Sequence, residues 1–281
     1  MAPQYTIRRM RQNEVQLAID WARQEGWNPG LHDAGTFYQA DRNGFFIGEI
    51  DGKAIAVGSA VVYDEQFAFC GLYIVKPEYR EHGYGIQLTR ARLEYVGERN
   101  AGIDGVVENI SVYERIGYRL AHRNERYGGQ AIRKPFDSHC IRPLREVPFG
   151  AIEAYDRHCF PAARSAFLRA WIAQPNASAL GCLDNSRLTG FGVRRQCVEG
   201  HKIGPLFADD PEIAEQLFRA LQQEVAGDPI YIDIPETNPQ AKKLVESQTM
   251  ELVFSTGRMY LKGQPDLADD KIFGITTFEL G

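Results

Sequence analysis

Six residues in a row, Arg80-Glu81-His82-Gly83-Tyr84-Gly85, combine a permanent cation with two glycines at the start of a helical pattern. Glycine lacks the Cβ that would hold a ligand off the backbone. The first N–H groups of a helix have no partner within it and point out of its end, where the helix dipole adds positive potential. Such an end is a ready anion site, and Arg80 adds a guanidinium that never loses its charge. The chemistry implied is the cradling of a diphosphate. Glycine pairs also occur in plain turns, so the case rests on what flanks them.

The flanks are a strand and a helix. Phe67 to Val75 is aromatic and β-branched enough for a buried strand, and Pro77 stops it because proline has no N–H to give to a ladder. Leu88, Arg92, Leu93 and Val96 then fall at helical spacing. The order Val-x-Pro, then Arg-x-x-Gly-x-Gly, then helix resembles the coenzyme A pyrophosphate loop of the GNAT N-acetyltransferases. Here Glu81 stands where a glycine commonly follows the arginine. Its N–H can still donate, but its carboxylate must turn away from the phosphates. The resemblance implies acetyl-CoA bound through Arg80, Glu81, His82, Gly83, Tyr84 and Gly85. It also implies that the pantetheine arm pairs with the backbone of Leu72, Tyr73, Ile74 and Val75.

Before Phe67, Tyr5–Arg8 reads as a strand, Glu14–Arg23 as a helix closed by Gly26, Phe37-Tyr38 as a short second helix, and Gly44–Val62 as a hairpin about Asp51-Gly52. After the phosphate-loop helix come a short strand at Asp104–Val107, a short helix at Val112–Ile116 and a strand pair running to about Gly129. This order matches the GNAT fold from Tyr5 to Gly129. Tyr113-Glu114-Arg115-Ile116-Gly117-Tyr118 looks like the family's Tyr-x-x-x-Gly-aromatic segment. The resemblance implies that Tyr113 protonates, or hydrogen-bonds, the departing thiolate; the alternative is a helix residue packed on the sheet. Asn109 is a further candidate cofactor contact, although the connection from strand to tyrosine is shorter than in typical members.

Composition fits a globular protein of one large or two ordinary domains. The net charge of −5 gives no electrostatic footprint for nucleic acid or an anionic membrane. Five cysteines without Cys-x-x-Cys spacing read as reduced thiols in a cytoplasm. No apolar signal core or run of membrane-spanning length is present in the sequence.

Residues 134–142 carry no periodicity and read as a linker, dividing the chain into 1–133 and 143–281. The second part repeats the element order of the first, with helices at Val147–Cys159, Ser165–Ala173, Asp209–Val225 and Thr237–Ser247. Strands are expected at Ala177–Leu183, Leu188–Cys197, His201–Phe207, Tyr231–Ile234, Leu252–Leu261 and Ile272–Leu280. Some residues repeat as well. A shift of 132 positions takes Glu114 to Glu246, Leu120 to Leu252 and Arg126 to Arg258; a shift of 129 takes Leu88 to Leu217 and Arg90 to Arg219. A tandem duplication follows. The same shifts put Asp209 at Arg80, Glu212 at Gly83 and Val245 at Tyr113. Two carboxylates within about 6 Å of a diphosphate repel it, so the second copy should not bind coenzyme A. Gly204 to Asp210, Ile234 to Pro239, Arg258-Met259-Tyr260 and Phe278-Glu279-Leu280-Gly281 look like the YitH-type C-terminal GNAT domain.

The expected fold is thus α+β or α/β: two tandem GNAT (acyl-CoA N-acyltransferase) domains, each a mixed central sheet flanked by helices. The first binds acetyl-CoA and the second shapes the acceptor site. The expected reaction is acetyl transfer to the amine of a small molecule. The rivals are a non-catalytic acyl-CoA-binding or regulatory protein and a protein lysine or N-terminal acetyltransferase. The proton acceptor is not readable. Several family members carry a glutamate near the position of Phe69, leaving Asp64, Glu65, His32, Asp33 and His82 as candidates, with a water relay as an equal. The loop Trp27–Asp33 lies where acceptors bind in the family. Asn28, His32 and Asp33 either grip a cationic or polyhydroxylated amine or cap a turn. Arg164 faces the shared cleft or pairs within its own domain. No metal cluster or nucleophile triad is apparent in the sequence.

Overall fold

In this computed structural model the structure describes residues 4–281. The first part runs β1 (Tyr5–Arg9), α1 (Val15–Gln24), α2 (Asp33–Tyr38), β2 (Phe45–Ile50), β3 (Lys53–Val62), β4 (Phe67–Val75), α3 (Tyr84–Val96), β5 (Asn100–Val106), α4 (Ile110–Ile116) and β6 (Arg119–Gln130). One long strand, β6, replaces the expected pair. The second part runs β7 (Ile141–Pro143), α5 (Phe149–Cys159), α6 (Ser165–Ile172), β8 (Ser178–Asp184), β9 (Arg187–Gln196), β10 (His201–Ala208), α7 (Pro211–Gln222), β11 (Pro229–Pro235), α8 (Pro239–Ser247), β12 (Glu251–Tyr260) and β13 (Ile272–Gly274). Strand β7 begins inside the stretch read as linker and pairs with β8.

The element order repeats, but the sheet is not split at the linker. A single sheet runs β1-β2-β3-β4-β5-β12-β6-β11-β10-β9-β8-β7. Its centre is an exchange: β12 of the second part lies against β5 of the first, and β6 of the first lies against β11 of the second. The two exchanged strands pair antiparallel with each other. Neither β5 nor β11 is therefore left as an edge with unpaired N–H and C=O groups.

Helices cover the sheet through apolar stripes. In α1 the buried residues Val15, Ala18, Ile19 and Ala22 recur at three and four. Their core continues across the two parts, for it holds Trp21 and Phe37 together with Phe167 and Trp171 of α6. The Phe37 and Trp171 rings stack with centroids 6.1 Å apart.

Candidate functional site

Strand β4 creates the site by leaving its neighbour. It pairs with β5 in parallel only from Phe67 to Phe69, opposite Asn100 to Gly102. Beyond Phe69 the two strands diverge, and the β5-facing backbone of residues 70–75 has no sheet partner. The bend has a local cause. The register of β4 on β3 slips between Val57 and Ser59, and Leu72 sits opposite the slip with φ 46°. A non-glycine residue there costs about 1–2 kcal/mol, held in place because Leu72 is buried in the core that the two parts share. A bulge of this kind bends its strand away from the pairing it interrupts.

The gap between β4 and β5 opens into a cavity of about 660 Å³. At one end stands α3. Its N-cap is Gly83, at φ 80°, and no side chain caps the first turn, so the leading N–H groups stay available. Gly85 is required for packing, because a Cβ there would collide with the Tyr73 hydroxyl. Arg80 lines the same end; it donates from Nε to the Val75 carbonyl at 2.8 Å and from Nη2 to Glu25 Oε1 at 2.7 Å. Leu72, Tyr73, Ile74, Val75, Glu81, Gly83, Gly85 and Asn109 also line the cavity. His82 and Tyr84 do not. The His82 ring stacks on that of Tyr84, and Tyr84 lies against Tyr5.

Tyr113 lines the middle of the cavity from α4. Its ring lies over the Cα of Gly105 on β5, where a Cβ would come within 2.7 Å of Cδ2. Burial pushes the Tyr113 phenol up from its ordinary range, with Arg92 pulling the other way. Arg92 was not foreseen as a site residue, yet it is a charge on the buried stripe of α3, at helical spacing from Leu88 and Val96. It donates from Nε to the Ser59 carbonyl at 2.7 Å and from Nη2 to the Gly71 carbonyl at 3.4 Å, on the two sides of the bulge.

The far end is built by the second part of the chain. Phe254 and Thr256 of β12 line it, with Phe278 and Glu279 of the segment after β13, beside Trp27 and Arg126 of the first part. The segment was expected to be strand up to Leu280; instead the strand ends at Gly274 and residues 275–281 cross to the cavity. Its backbone carbonyl at Glu279 fills the place a side chain at position 71 would take, so Gly71 is obligatory. Nothing periodic marks residues 275–281, and only their run of buried side chains, seen in the fold, shows their place.

Residues proposed for the acceptor lie outside the cavity lining. Asn28 exchanges hydrogen bonds with the backbone of Glu199, at 2.9 and 2.8 Å. His32 precedes α2 and accepts from Thr36 through its carbonyl. Asp33 is fully buried, accepting from the Gly30 N–H at 2.7 Å and from Arg195 Nε at 3.1 Å. All three join the two parts or shape the loop. Asp64 accepts from the N–H groups of Gln66 and Phe67, both at 2.8 Å, as a turn residue does. Glu65 is exposed beside it. Arg164 pairs within the second part, with Asp156 at 2.7 Å.

The second copy lacks the site for physical reasons beyond the charge expected at Asp209 and Glu212. Eight residues, 76–83, join β4 to α3, but only two, Asp209 and Asp210, join β10 to α7. There is no loop to wrap a diphosphate. Asp210 caps α7 itself, accepting from the Ile213 N–H at 2.9 Å, and Asp209 is held by Lys271 and Arg187. The gap between β10 and β11 beyond Ile203 and Ile232 is filled by the chain's own β13, which pairs with β10. Just after β13, the Ile275 N–H donates to the backbone carbonyl of Asp233 on β11.

Both parts match known families. The model described as "Acetyltransferase (GNAT) family" matches residues 13–118, and that described as "Acetyltransferase (GNAT) domain" matches residues 152–274. A holothin acyltransferase of Pseudoalteromonas sp. (strain SANK 73390) is 26% identical over 269 residues, 95% of this chain and 92% of that one. The uncharacterized N-acetyltransferase YitH of Bacillus subtilis (strain 168) is 27% identical over 169 residues, 59% of each chain. Among solved structures, a putative acetyltransferase from Pyrococcus horikoshii superposes with a TM-score of 0.83 at 22% identity, covering 99% of this chain and 96% of that one. A tandem GNAT protein from the clavulanic acid biosynthesis pathway superposes with a TM-score of 0.64 at 11% identity, covering 94% and 100%. With one GNAT match on each side of the strand exchange, the chain belongs to the GNAT acyltransferases, as an enzyme built of two such domains in tandem.

Proposed function

We propose that this enzyme transfers the acetyl group of acetyl-CoA to the primary amine of a small molecule. One observation carries the reading: a single cavity leads from the uncapped start of α3 to Tyr113 and is closed beyond it by residues of the second copy. The N–H groups at the start of α3, with Arg80, would hold the diphosphate. The backbone of residues 70–75, left without a sheet partner on the β5 side, would take the pantetheine arm. The second copy has neither the loop nor the gap, so one cofactor binds per chain. In its contribution to the acceptor end, Phe254 and Phe278 supply apolar walls, which suit a small molecule better than a peptide lying in an open groove.

The bond changes are few. The amine lone pair attacks the thioester carbonyl carbon and the N–C bond forms. A proton leaves the nitrogen, and the C–S bond then breaks with the electron pair going to sulfur. Tyr113, kept protonated by burial, is placed to donate to that sulfur, as a hydrogen bond or as a proton. Holding the amine against the thioester accounts for much of the remaining acceleration. Five unpaired cysteines suit the reducing cytoplasm in which we place the enzyme.

The test is thiol release from acetyl-CoA across a set of small primary amines, with coenzyme A affinity measured separately by calorimetry. Release above the amine-free rate is expected for at least one amine. Tight coenzyme A binding with no amine-dependent release would instead favour an acyl-CoA-binding regulator, to which Phe69, in the place of a family glutamate, also points.

A further inference from the structure

We propose that Glu279, carried by the segment that follows the plug of the second copy, accepts the proton released by the attacking amine. This rests on the transferase reading above. Four carboxylates line the cavity: Glu25, Glu81, Asp104 and Glu279. Glu25 and Glu81 stand at the Arg80 end, and Glu25 is paired with Arg80. Asp104 is saturated. It accepts from Asn124 at 2.7 Å, from Thr256 at 3.2 Å and from Arg258 at 2.6 and 3.1 Å. Glu279 alone lies at the acceptor end with capacity to spare. One of its oxygens, Oε2, accepts from the Thr277 hydroxyl, and among the described residues no donor reaches Oε1. A buried carboxylate normally has its lone pairs filled by protein or ligand donors. Here the open one belongs to a residue of the cavity wall.

Position and surroundings both fit the task. The Glu279 backbone lies against Gly71, next to the bulge at Leu72 and hence beside the strand that would carry the thioester. Its charged neighbours are three cations from three elements: Arg126 of β6, Arg195 of β9 and Lys202 of β10. Arg126 pairs with Asp233, and Arg195 with Asp33. Lys202 donates to the Trp27 carbonyl at 3.1 Å. Two of these three cations are thus already neutralised by partners of their own.

The step balances. As the N–C bond forms, the N–H electron pair stays on nitrogen and the proton passes to Oε1 of Glu279, directly or through one water. The thiolate leaves to the side of Tyr113, on the same cavity, and the Glu279 proton is returned to solvent with the product's departure.

The experiment compares the full chain with Glu279→Gln and Glu279→Asp, using 2-phenylethylamine and hydrazine as acceptors. Thiol release is followed from pH 5 to 9 (working values, about the range in which enzyme general bases titrate), with coenzyme A affinity by calorimetry. Glu279→Gln should keep coenzyme A affinity within about twofold, lose roughly 10²-fold or more in kcat, and lose the limb of the profile that falls toward low pH. Glu279→Asp should restore part of both. A Gln variant with wild-type kcat and profile would overturn the assignment and leave the transferase reading standing. Wild-type chain that binds coenzyme A but releases no thiol with either amine would overturn both.

Discussion

Arg126 of the first copy and Asp233 of the second meet in a bidentate pair, 2.6 and 2.8 Å, with both side chains about 6% exposed. Its counterpart is Arg258 of the second copy on Asp104 of the first, at 2.6 Å. The shifts that relate the copies, 132 for the arginines and 129 for the aspartates, turn one pair into the other. Each cation thus rides on an exchanged strand and finds its carboxylate in the opposite copy. Burial opposes the charge on Asp233, but Arg126, joined by Lys202 and Arg195, holds the carboxyl below its ordinary range.

Asp233→Ala should destabilise the chain by about 3–5 kcal/mol, because it strands a buried guanidinium. Replacing both partners, Arg126→Met with Asp233→Leu, should recover much of that loss, since no uncompensated charge remains. Urea midpoints of the three variants check this. Equal losses in the single and double variants would show that the pair itself, and not the orphaned charge, sets the energy.

Residues 1–133 expressed alone should not fold. Without β12, strand β5 has no partner on that side and β6 has lost both of its neighbours. The two halves produced together should reassemble. A dispersed, native-like NMR spectrum from the first half alone would contradict the exchange.

Gly83→Ala should cost about 1–2 kcal/mol of stability from its positive φ and leave coenzyme A affinity almost unchanged, for a Cβ there meets no other atom. Gly83→Glu adds a carboxylate beside the diphosphate. At about 6 Å and an effective dielectric near 20, repulsion is roughly 3 kcal/mol per charge pair. Affinity should fall at least a hundredfold by calorimetry. An Ala variant as weak as the Glu variant would assign the loss to strain rather than charge.

Tyr113→Phe should lower kcat by about 10- to 100-fold with little change in cofactor affinity, the scale of one lost proton donor. Gly105→Ala should do the same by lifting the ring from its seat. Because burial raises the phenol's pKa, the Tyr113-dependent rate should not decline with rising pH until above the ordinary tyrosine range. A decline near neutrality that disappears in Tyr113→Phe would contradict the buried, protonated state.

Acid should weaken the fold before the carboxylates titrate. Burial, then the nearby Arg258 charge, lowers the His122 imidazole to about 4, and its Nδ1 has no partner among the described residues. The unfolded chain therefore takes the proton first. Stability held above the ordinary histidine value of about 6.5 should fall as pH drops toward 4. His122→Gln should flatten that part of the stability curve; an unchanged slope would remove His122 as its source.

Local pattern was enough for much of this molecule. The strand, proline, arginine and paired glycines of the phosphate loop lie within twenty residues, so their spacing alone declares a strand running into an open helix start. Element order and the duplicated arginines were legible for a similar reason: each helix or strand repeats its own period, and a duplication keeps its offset. Backbone pairing carries no such label. Any extended strand can accept any other, so nothing in β6 or β12 marks them as exchanged. Nor does Asp33, in a loop that reads as an acceptor site, disclose a partner 162 residues away. The plug at Ile272–Gly274 and the arrival of Glu279 beside Gly71 are likewise decided only when the sheet closes. Their place is set by long-range backbone pairing and by packing against Gly71, which no local period encodes.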